Sequence, residues 1–207
     1  MVDNFFTIEG EETKEKEIVE KKSRFIAQII KITSEEEANK KILEIKKKHR
    51  DAKHNVFAYR IVNGIEKFSD DGEPSGTAGV PILDILRGEK LENILLVVTR
   101  YFGGILLGTG GLVRAYSSAA KEAILAIKKV EMKLCSEYEL FVEYNYYDIL
   151  NHYLRKNDVV IKNVSYGEKI CINIIVEKRR ETSVISKISD ITNRTVISKN
   201  VDTYYYA

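Results

Sequence analysis

The residues with the clearest chemical potential form a glycine-rich stretch between Arg100 and Arg114. An apolar run, Ile94–Tyr101, leads into the loop 103–111, and the loop leads into an Ala-rich helical pattern. The first N–H groups of a helix lack partners and the helix dipole is positive there, so an anion is favoured. Glycines let the backbone approach a phosphate closely. The predicted anion contacts are Arg100, Tyr101, Gly103, Gly104, Gly108, Thr109, Gly110, Gly111 and Arg114.

This loop matches neither of the common nucleotide-binding fingerprints. In G-x-G-x-x-G, Gly108 and Gly110 are in place, but the sixth position is Val113. In the P-loop pattern, Thr109-Gly110 stands where Lys followed by Ser or Thr is required. The alternative is a sharp strand-to-helix corner that needs small residues for packing, and the sequence leaves both interpretations open.

A second loop, residues 70–79, carries three carboxylates close together. Asp70, Asp71 and Glu73 could hold a hard cation such as Mg²⁺ beside a bound phosphate. They could equally form the turn and supply the acidic residues that favour the start of the next helix. We predict that the loops 70–79 and 103–111 meet in space and line one cleft, because glycine, proline and small polar residues concentrate there.

His54 stands at the start of a predicted strand. Strand alternation places His54 and Arg60 on one face and Tyr59 on the other. His54 is the one plausible base for the hydroxyls of Ser75 and Thr77, but the chain has no G-x-S-x-G nucleophile pattern. We therefore expect ligand contacts here, with no catalytic residue, no metal and no cofactor. The cleft is predicted to include His54, Tyr59 and Arg100, and the further contacts are Arg60, Asp70, Asp71, Glu73, Ser75 and Thr77.

The elements that must position these residues are regular and highly charged. Ten of the twelve glycines and both prolines lie between Gly64 and Gly111, so the loops are concentrated in that window. Ser34-Glu35-Glu36-Glu37 is a capping box that opens a helix to about His49. The other elements predicted in this part are strands over Ser23–Ile32, Val56–Ile61, Ile65–Ser69 and Ile94–Tyr101, and helices over Pro81–Leu86 and Leu112–Lys128.

After Val130 the sequence has one glycine and no proline. A strand over 134–145, a helix over 147–156, strands over 159–166 and 169–176, a helix over 181–193 and a strand over 194–205 are predicted. This βαββαβ order is the split plan of ferredoxin-like domains. We therefore predict an α+β protein with an N-terminal domain, residues 1–130, that carries the glycine-rich motifs, and a C-terminal domain, residues 131–207.

Composition narrows the function classes. The net charge is only +2 and both signs are spread along the chain, so nucleic-acid binding would have to come from local geometry rather than from bulk charge. Cys135 and Cys171 fit no metal or redox spacing, which predicts reduced thiols. No apolar run exceeds five residues, against about 18 for a membrane span, and residues 1–4 lack the order of a signal peptide. The expected location is the cytoplasm, with no membrane partner.

Long strings at these loops resemble the signature of the YigZ/IMPACT family. They are Ser23-Arg24-Phe25-Ile26-Ala27, Ala52-Lys53-His54 with Ala58-Tyr59-Arg60, Asp70-Asp71-Gly72-Glu73-Pro74-Ser75-Gly76-Thr77-Ala78-Gly79, and Val98-Thr99-Arg100-Tyr101-Phe102-Gly103-Gly104-Ile105-Leu106-Leu107-Gly108-Thr109-Gly110-Gly111-Leu112-Val113-Arg114-Ala115-Tyr116. The resemblance covers essentially the whole chain, because bacterial members of the family have this N-terminal domain followed by a small ferredoxin-like one.

The resemblance implies a left-handed βαβ fold for the first domain, as in domain IV of elongation factor G and in GHMP kinases. It implies that the second domain resembles an elongation-factor ferredoxin-like domain. Eukaryotic members regulate translation by interfering with activation of an initiation-factor kinase, and they do so through an additional N-terminal RWD domain. This chain is expected to begin at the shared domain without an RWD domain.

Three functions follow as hypotheses. The leading one is a non-enzymatic protein that associates with RNA or the ribosome and affects translation. The second is an enzyme that acts on a phosphorylated small molecule or nucleotide. In it the 103–111 loop would hold the phosphate, Asp70, Asp71 or Glu73 would hold Mg²⁺, and His54 would be the general base. The third is a protein-binding regulatory module that docks its partner on the C-terminal sheet.

Overall fold

A computed structural model describes residues 3–10 and 13–207, so the expectation about residues 1–4 lies partly outside the described residues. The chain is a mixed α+β protein with two sheets and five helices, and it divides into two compact units, Met1–Glu131 and Met132–Ala207. No helix in the described ranges is long and apolar enough to cross a membrane.

The first unit is built on a five-stranded antiparallel sheet. Its strands are β2 (Lys14–Glu20), β3 (Ser23–Lys31), β4 (His54–Ile61), β5 (Ile65–Ser69) and β6 (Ile94–Tyr101), in the order β2-β3-β6-β4-β5. β6 lies at the centre because Ile94 to Val98 are fully buried and can pack on both faces. A short first strand, β1 (Asn4–Ile8), was not predicted, and its Phe6 exchanges backbone hydrogen bonds with Lys90 and Glu92.

The three helices of the first unit cover both faces of this sheet. They are α1 (Glu35–Lys48), α2 (Gly79–Gly88) and α3 (Thr109–Leu125). α1 packs through Ala38, Ile42 and Ile45 on the face that carries Tyr59, whereas α2 and α3 cover the face that carries Val56. Strand alternation therefore sends the even-numbered side chains of β4 and β6 toward α2 and α3 and the odd-numbered ones toward α1.

The start of α1 confirms the predicted cap with one difference. The Ser34 hydroxyl accepts a hydrogen bond from the Glu37 N–H at 3.2 Å, as a capping box requires. The Glu37 carboxylate reaches back to the N–H of Thr33 at 2.8 Å rather than to that of Ser34. Both bonds satisfy N–H groups near the helix start, and so the helix begins where the sequence predicts.

The second unit has the predicted βαββαβ order of elements. Its elements are β7 (Lys129–Val142), α4 (Tyr144–Lys156), β8 (Val160–Tyr166), β9 (Ile170–Glu177), α5 (Glu181–Ile191) and β10 (Ile197–Tyr206), with a single 3₁₀ turn over Lys178–Arg180. The strands pair antiparallel in the order β10-β7-β9-β8. Leu150 and Leu154 of α4 and Ile188 of α5 pack in one core with the alternate residues of β9.

Candidate functional site

The candidate site begins where β4 and β6 pair, because their register places His54 directly opposite Arg100. The loop that follows β5 folds back onto this point. His54 Nδ1 lies 2.8 Å from the backbone carbonyl oxygen of Asp71, and since a carbonyl only accepts, Nδ1 carries the proton. The Asp71 carboxylate accepts a 2.6 Å hydrogen bond from the backbone N–H of Asn55. The loop 70–79, which we call the acidic loop, is thus fixed to the first two residues of β4.

A buried carboxylate, Glu73, is the centre of the site. Its Oε1 accepts hydrogen bonds from Arg100 Nη1 at 2.6 Å and from the Tyr116 hydroxyl at 2.8 Å. His54 Nε2 lies 3.7 Å from the same oxygen. Burial, with the charge of Glu73, raises the pKa of Tyr116, so the hydroxyl stays protonated and donates. Glu73 therefore joins the acidic loop to β6 and to α3.

Arg100 is an internal structural cation rather than an open anion contact. Only 6% of its side chain is exposed, and its guanidinium lies 5.4 Å from the Phe25 ring centroid and 5.6 Å from that of Phe102. Its Nη2 is 3.5 Å from the Ser23 hydroxyl, and its Nε has no hydrogen-bond partner in the described part of the chain. The carboxylate that pairs with Arg100 is Glu73, whereas Asp70 and Asp71 have other partners.

The three carboxylates of the acidic loop face three different partners. Asp70 accepts hydrogen bonds from the N–H groups of Gly76, Ala78 and Gly79 at 2.8–3.0 Å and so caps α2, whose own N-cap residue, Ala78, has no capping side chain. Asp71 pairs with Lys46 at 2.6 Å. The Mg²⁺ alternative does not fit this arrangement, and among the described residues no group of three or more His, Cys, Asp or Glu side chains could hold a metal ion.

The hydroxyls of the acidic loop have no base beside them. Thr77 is buried and its hydroxyl donates to the Pro74 carbonyl at 2.7 Å, while Ser75 is exposed. The two ring nitrogens of His54 face the Asp71 carbonyl and the Glu73 carboxylate. This geometry contradicts a general-base role for His54 toward either hydroxyl.

Three of the predicted contact residues lie away from His54. Tyr59 is fully buried on the α1 face, where its hydroxyl donates to Glu35 at 2.5 Å. Tyr101 also turns to that face, and its hydroxyl lies 2.9 Å from Nδ1 of His49. Arg60 is six residues from His54, about 20 Å along β4 at ~3.3 Å per residue, and pairs with Glu92 instead. The prediction that Tyr59 lines one cleft with His54 and Arg100 was wrong, because strand alternation puts Tyr59 on the other face. Tyr101 and Arg60, which were predicted as ligand contacts, also lie away from His54.

The glycine loop combines a packing corner with open backbone. A Cβ on Gly103 would lie 2.0 Å from the backbone carbon of Lys22, so the corner interpretation holds at this position. Gly104 and Gly108 have φ of +83° and +73°, and a Cβ on either would meet no atom within 4 Å. Their requirement for glycine is therefore conformational.

The next glycines belong to the first turn of α3. Gly108 is the N-cap of this helix and provides no capping side chain, while Thr109, Gly110 and Gly111 are its first residues. Gly110 has no positive φ, and a Cβ there would meet Arg114 Nη1 at 3.6 Å, an ordinary contact. Arg114 is exposed and its guanidinium lies over this first turn.

An exposed surface surrounds the loop, and we call it the loop strip: Phe102, Ile105 and Leu106 with the cations Lys21, Lys22, Lys53 and Arg114. The exposed fractions of the three apolar residues are 43%, 43% and 82%. Lys53 Nζ lies 5.4 Å from the Phe102 ring centroid, and Gly103 packs on the backbone of Lys22. Lys21 and Arg114 line a groove of about 250 Å³ with Leu107, Gly111 and one carboxylate, Glu20.

The four cations of the loop strip are exposed, and within residues 3–10 and 13–207 none of them makes an ion pair. Other cations nearby are neutralised, for example Arg24 by Glu17 and Lys46 by Asp71. The loop strip therefore presents positive charge together with apolar side chains, which is the combination that single-stranded nucleic acids bind.

Sequence reasoning missed several residues of this arrangement. Tyr116 and Ser23 were not site candidates, because a tyrosine inside an apolar helix pattern and a serine at a strand start carry no distinctive signal. Phe102 and Lys53 could have been found, since an aromatic residue next to two glycines is poorly placed for a core. The lysine in turn is next to His54 in the chain.

Comparisons with known proteins agree with this organisation. The family described as the Impact N-terminal domain matches residues 21–124, and the domain of unknown function DUF1949 matches residues 140–193. The chain is similar to the IMPACT family member YvyE of Bacillus subtilis, 40% identical over 195 residues, with 93% of this chain and 89% of the relative covered. It is also similar to YigZ of Escherichia coli, 34% identical with 83% and 86% covered. A solved structure described as a hypothetical protein aligns with a TM-score of 0.62 at 28% identity, over 98% of this chain and 99% of its own.

Proposed function

Because the chain belongs to the IMPACT family, we propose that it is a non-enzymatic cytoplasmic protein that associates with the ribosome or with RNA and affects translation. Family resemblance supports the translational role. We further propose the left-handed βαβ fold for an N-terminal domain over residues 1–130 and the ferredoxin-like fold for a C-terminal domain over residues 131–207. The observation that supports ribosome or RNA binding is the loop strip, whose exposed cations surround an exposed apolar loop and make no ion pair with any residue that the structure describes.

The positive charge of the loop strip is local, so the proposed RNA binding is compatible with a chain whose net charge is close to zero. The net charge is +2, but Lys21, Lys22, Lys53 and Arg114 meet at one end of the sheet although they are up to 93 residues apart in sequence (114 − 21). Binding to RNA depends on how many phosphates a surface contacts rather than on the total charge. Four converging cations provide such a surface without making the whole protein basic.

The contacts of the polar groups around His54 favour binding over catalysis. His54, Asp70, Asp71 and Glu73 are engaged with one another's backbone, with helix N–H groups or with internal cations. A general acid or base must be within hydrogen-bond reach of a substrate proton, and these groups point at structural partners instead. Their common effect is to fix the loops on which the loop strip is presented.

Co-sedimentation with ribosomes tests the proposal. The wild-type chain should sediment with ribosomes at low salt and dissociate as salt is raised. A variant with Lys21, Lys22, Lys53 and Arg114 all changed to Ala should stay in the supernatant. The matched control changes Lys67, Lys156, Lys187 and Lys199, four exposed lysines without an ion pair in the described ranges, and should sediment like wild type. Equal behaviour of the two variants would contradict the proposal.

A further inference from the structure

We infer that the loop strip binds single-stranded RNA, with a base against the Phe102 ring and phosphates on Lys21, Lys22, Lys53 and Arg114. This inference rests on the proposed function and names its ligand. It follows from three properties of the loop strip: the exposed ring has fixed supports, the neighbouring apolar side chains are exposed, and the cations lie on the segments around the ring.

The apolar part of the loop strip favours single-stranded RNA, whose base faces are free, over duplex RNA. Leu106 is 82% exposed, and Phe102 and Ile105 are each 43% exposed, all at the tip of a loop. In a duplex the base faces are stacked on one another, and the protein meets phosphates and ribose hydroxyls, which give apolar side chains nothing to bury against. A single strand offers base faces, and stacking on an aromatic side chain is available to every base.

The cations of the loop strip follow one another across the end of the sheet. The Lys53 ammonium lies over the Phe102 ring. Gly103, which follows Phe102 in the chain, packs on the backbone of Lys22. Lys21, the neighbour of Lys22 in the β2–β3 turn, shares its groove with Arg114. The path of positive charge therefore runs past the aromatic ring rather than away from it. A nucleic-acid strand can place a base on the ring and its flanking phosphates on either side.

The Phe102 ring is held from inside the protein. The Arg100 guanidinium lies 5.6 Å from its centroid and is fixed by Glu73. Gly103 contacts the β2–β3 turn so closely that the chain direction after Phe102 is set. A binding ring that is already in place does not have to be ordered when the ligand arrives, which lowers the entropic cost of association.

The same features weigh against a protein as the primary ligand. Protein interfaces have cores that are depleted in charged residues, lysine among them, and here lysines lie beside the apolar tip on the Phe102 side and on the groove side. Several exposed cations close together favour a partner that brings several negative charges in a row. RNA does so with one phosphate per nucleotide.

The experiment measures binding of the full chain to a fluorescent 12-nucleotide oligouridine and to a 12-base-pair RNA duplex by anisotropy. We expect at least tenfold tighter binding of the single strand. The plot of log K against log salt should have a slope of about −2.8, from four phosphates at about −0.7 each. Phe102→Ala should weaken single-strand binding about 5- to 160-fold, the range for loss of one stacked base. Phe68→Ala is the control, because Phe68 is also 43% exposed and lies outside the loop strip.

Two further variants keep the outcome interpretable. Phe102→Leu retains apolar bulk without an aromatic ring, so it tests stacking if Phe102→Ala unfolds, and it should also lose affinity. The variant with the four cations changed to Ala should lose most of the salt dependence. Equal binding of duplex and single strand, or unchanged binding by both Phe102 variants, overturns the inference.

The outcome also separates this inference from the proposed function. Ribosome co-sedimentation that depends on the four cations, together with no binding of oligouridine, overturns single-stranded RNA as the ligand and leaves the proposed function standing. Such a result would indicate a structured or proteinaceous part of the ribosome as the partner. If the wild-type chain binds neither ribosomes nor oligouridine, the inference and the proposed function are both overturned.

Discussion

Glu73 Oε1 and Arg100 Nη1 are 2.6 Å apart, and both side chains are more than nine-tenths buried. A charge pair removed from water in this way is strongly destabilising to break, because the remaining partner is left buried and uncompensated. The pair links the acidic loop to the central strand β6, immediately before the glycine loop begins. Its geometry therefore determines both the stability of the first unit and the position of Phe102, whose ring Arg100 contacts.

Glu73→Ala should lower the free energy of unfolding of the chain by about 3–5 kcal/mol, because it leaves the Arg100 guanidinium buried without its carboxylate. Urea unfolding measures this change. Glu73→Gln keeps an acceptor for the Tyr116 hydroxyl and should cost less. As a control, Glu17→Ala breaks an exposed pair with Arg24 and should have a much smaller effect. A cost for Glu73→Ala no larger than that control would show that Arg100 finds solvent or another partner.

The glycines of the loop should respond very differently to the same substitution. Gly103→Ala forces a Cβ to within 2.0 Å of the Lys22 backbone, so the β2–β3 turn or the loop must move, and the melting temperature should fall by many degrees. Gly110→Ala adds a methyl group in the first helical turn with only an ordinary contact, and should be neutral or stabilising by up to about 1 kcal/mol. Thermal unfolding of the two variants checks this. Similar losses in both would contradict the helical assignment of Gly110.

Much of the fold could be predicted from the sequence because local patterns determine it. The strands Ile65–Ser69 and Ile94–Tyr101 have their predicted bounds, since a hairpin turn fixes one and continuous burial fixes the other. Alternation also placed His54 and Tyr59 on opposite faces of β4 correctly. The error came from assuming that residues near the glycine-rich loops in sequence also share one cleft, which put Tyr59 beside His54 although alternation places the two side chains on opposite faces.

The buried polar cluster was harder to predict because it depends on contacts distant in sequence. Arg100 and Glu73 are 27 residues apart, and Tyr116 is 43 residues from Glu73. Three carboxylates in a short acidic loop look alike in sequence, yet Asp70 caps a helix, Asp71 holds a strand end and Glu73 is buried. The path of the loop over β4 determines which of the three carboxylates pairs with Arg100, and no local sequence pattern predicts that path.

Asp70 should be important for the stability of α2 and of the acidic loop. Its carboxylate accepts three backbone N–H groups, and Asp70→Ala leaves all three without that partner. The expected loss is about 1–3 kcal/mol of unfolding free energy, at or above the usual worth of an N-cap. Asp70→Asn retains one carbonyl acceptor and should lose less. Hydrogen exchange of the Ala78 and Gly79 amides, which both bond Oδ1, should accelerate in Asp70→Ala, and unchanged exchange in that variant would exclude the capping role.

The last prediction concerns acid stability and His49, at the end of α1. Burial lowers the pKa of this imidazole, helped by the positive charge of Lys48 and opposed by Glu15. Its Nδ1 lies 2.9 Å from the Tyr101 hydroxyl, and its buried Nε2 has no partner in the described part of the chain. The folded chain therefore binds this proton more weakly than the unfolded chain, in which a histidine has a pKa of about 6.5.

Since the unfolded state binds more protons through this interval, His49 makes the chain less stable as pH falls from about 7 through the unfolded pKa of ~6.5 toward the lower folded value. His49→Gln, which can still hydrogen-bond the Tyr101 hydroxyl but does not titrate, should remove that part of the pH dependence. Urea unfolding of wild type and variant between pH 7 and the acid limit of reversible folding measures the difference. His152→Gln is the control, because His152 is exposed on α4. Parallel pH profiles for wild type and His49→Gln would mean that His49 gains a proton as easily in the folded chain as in the unfolded one.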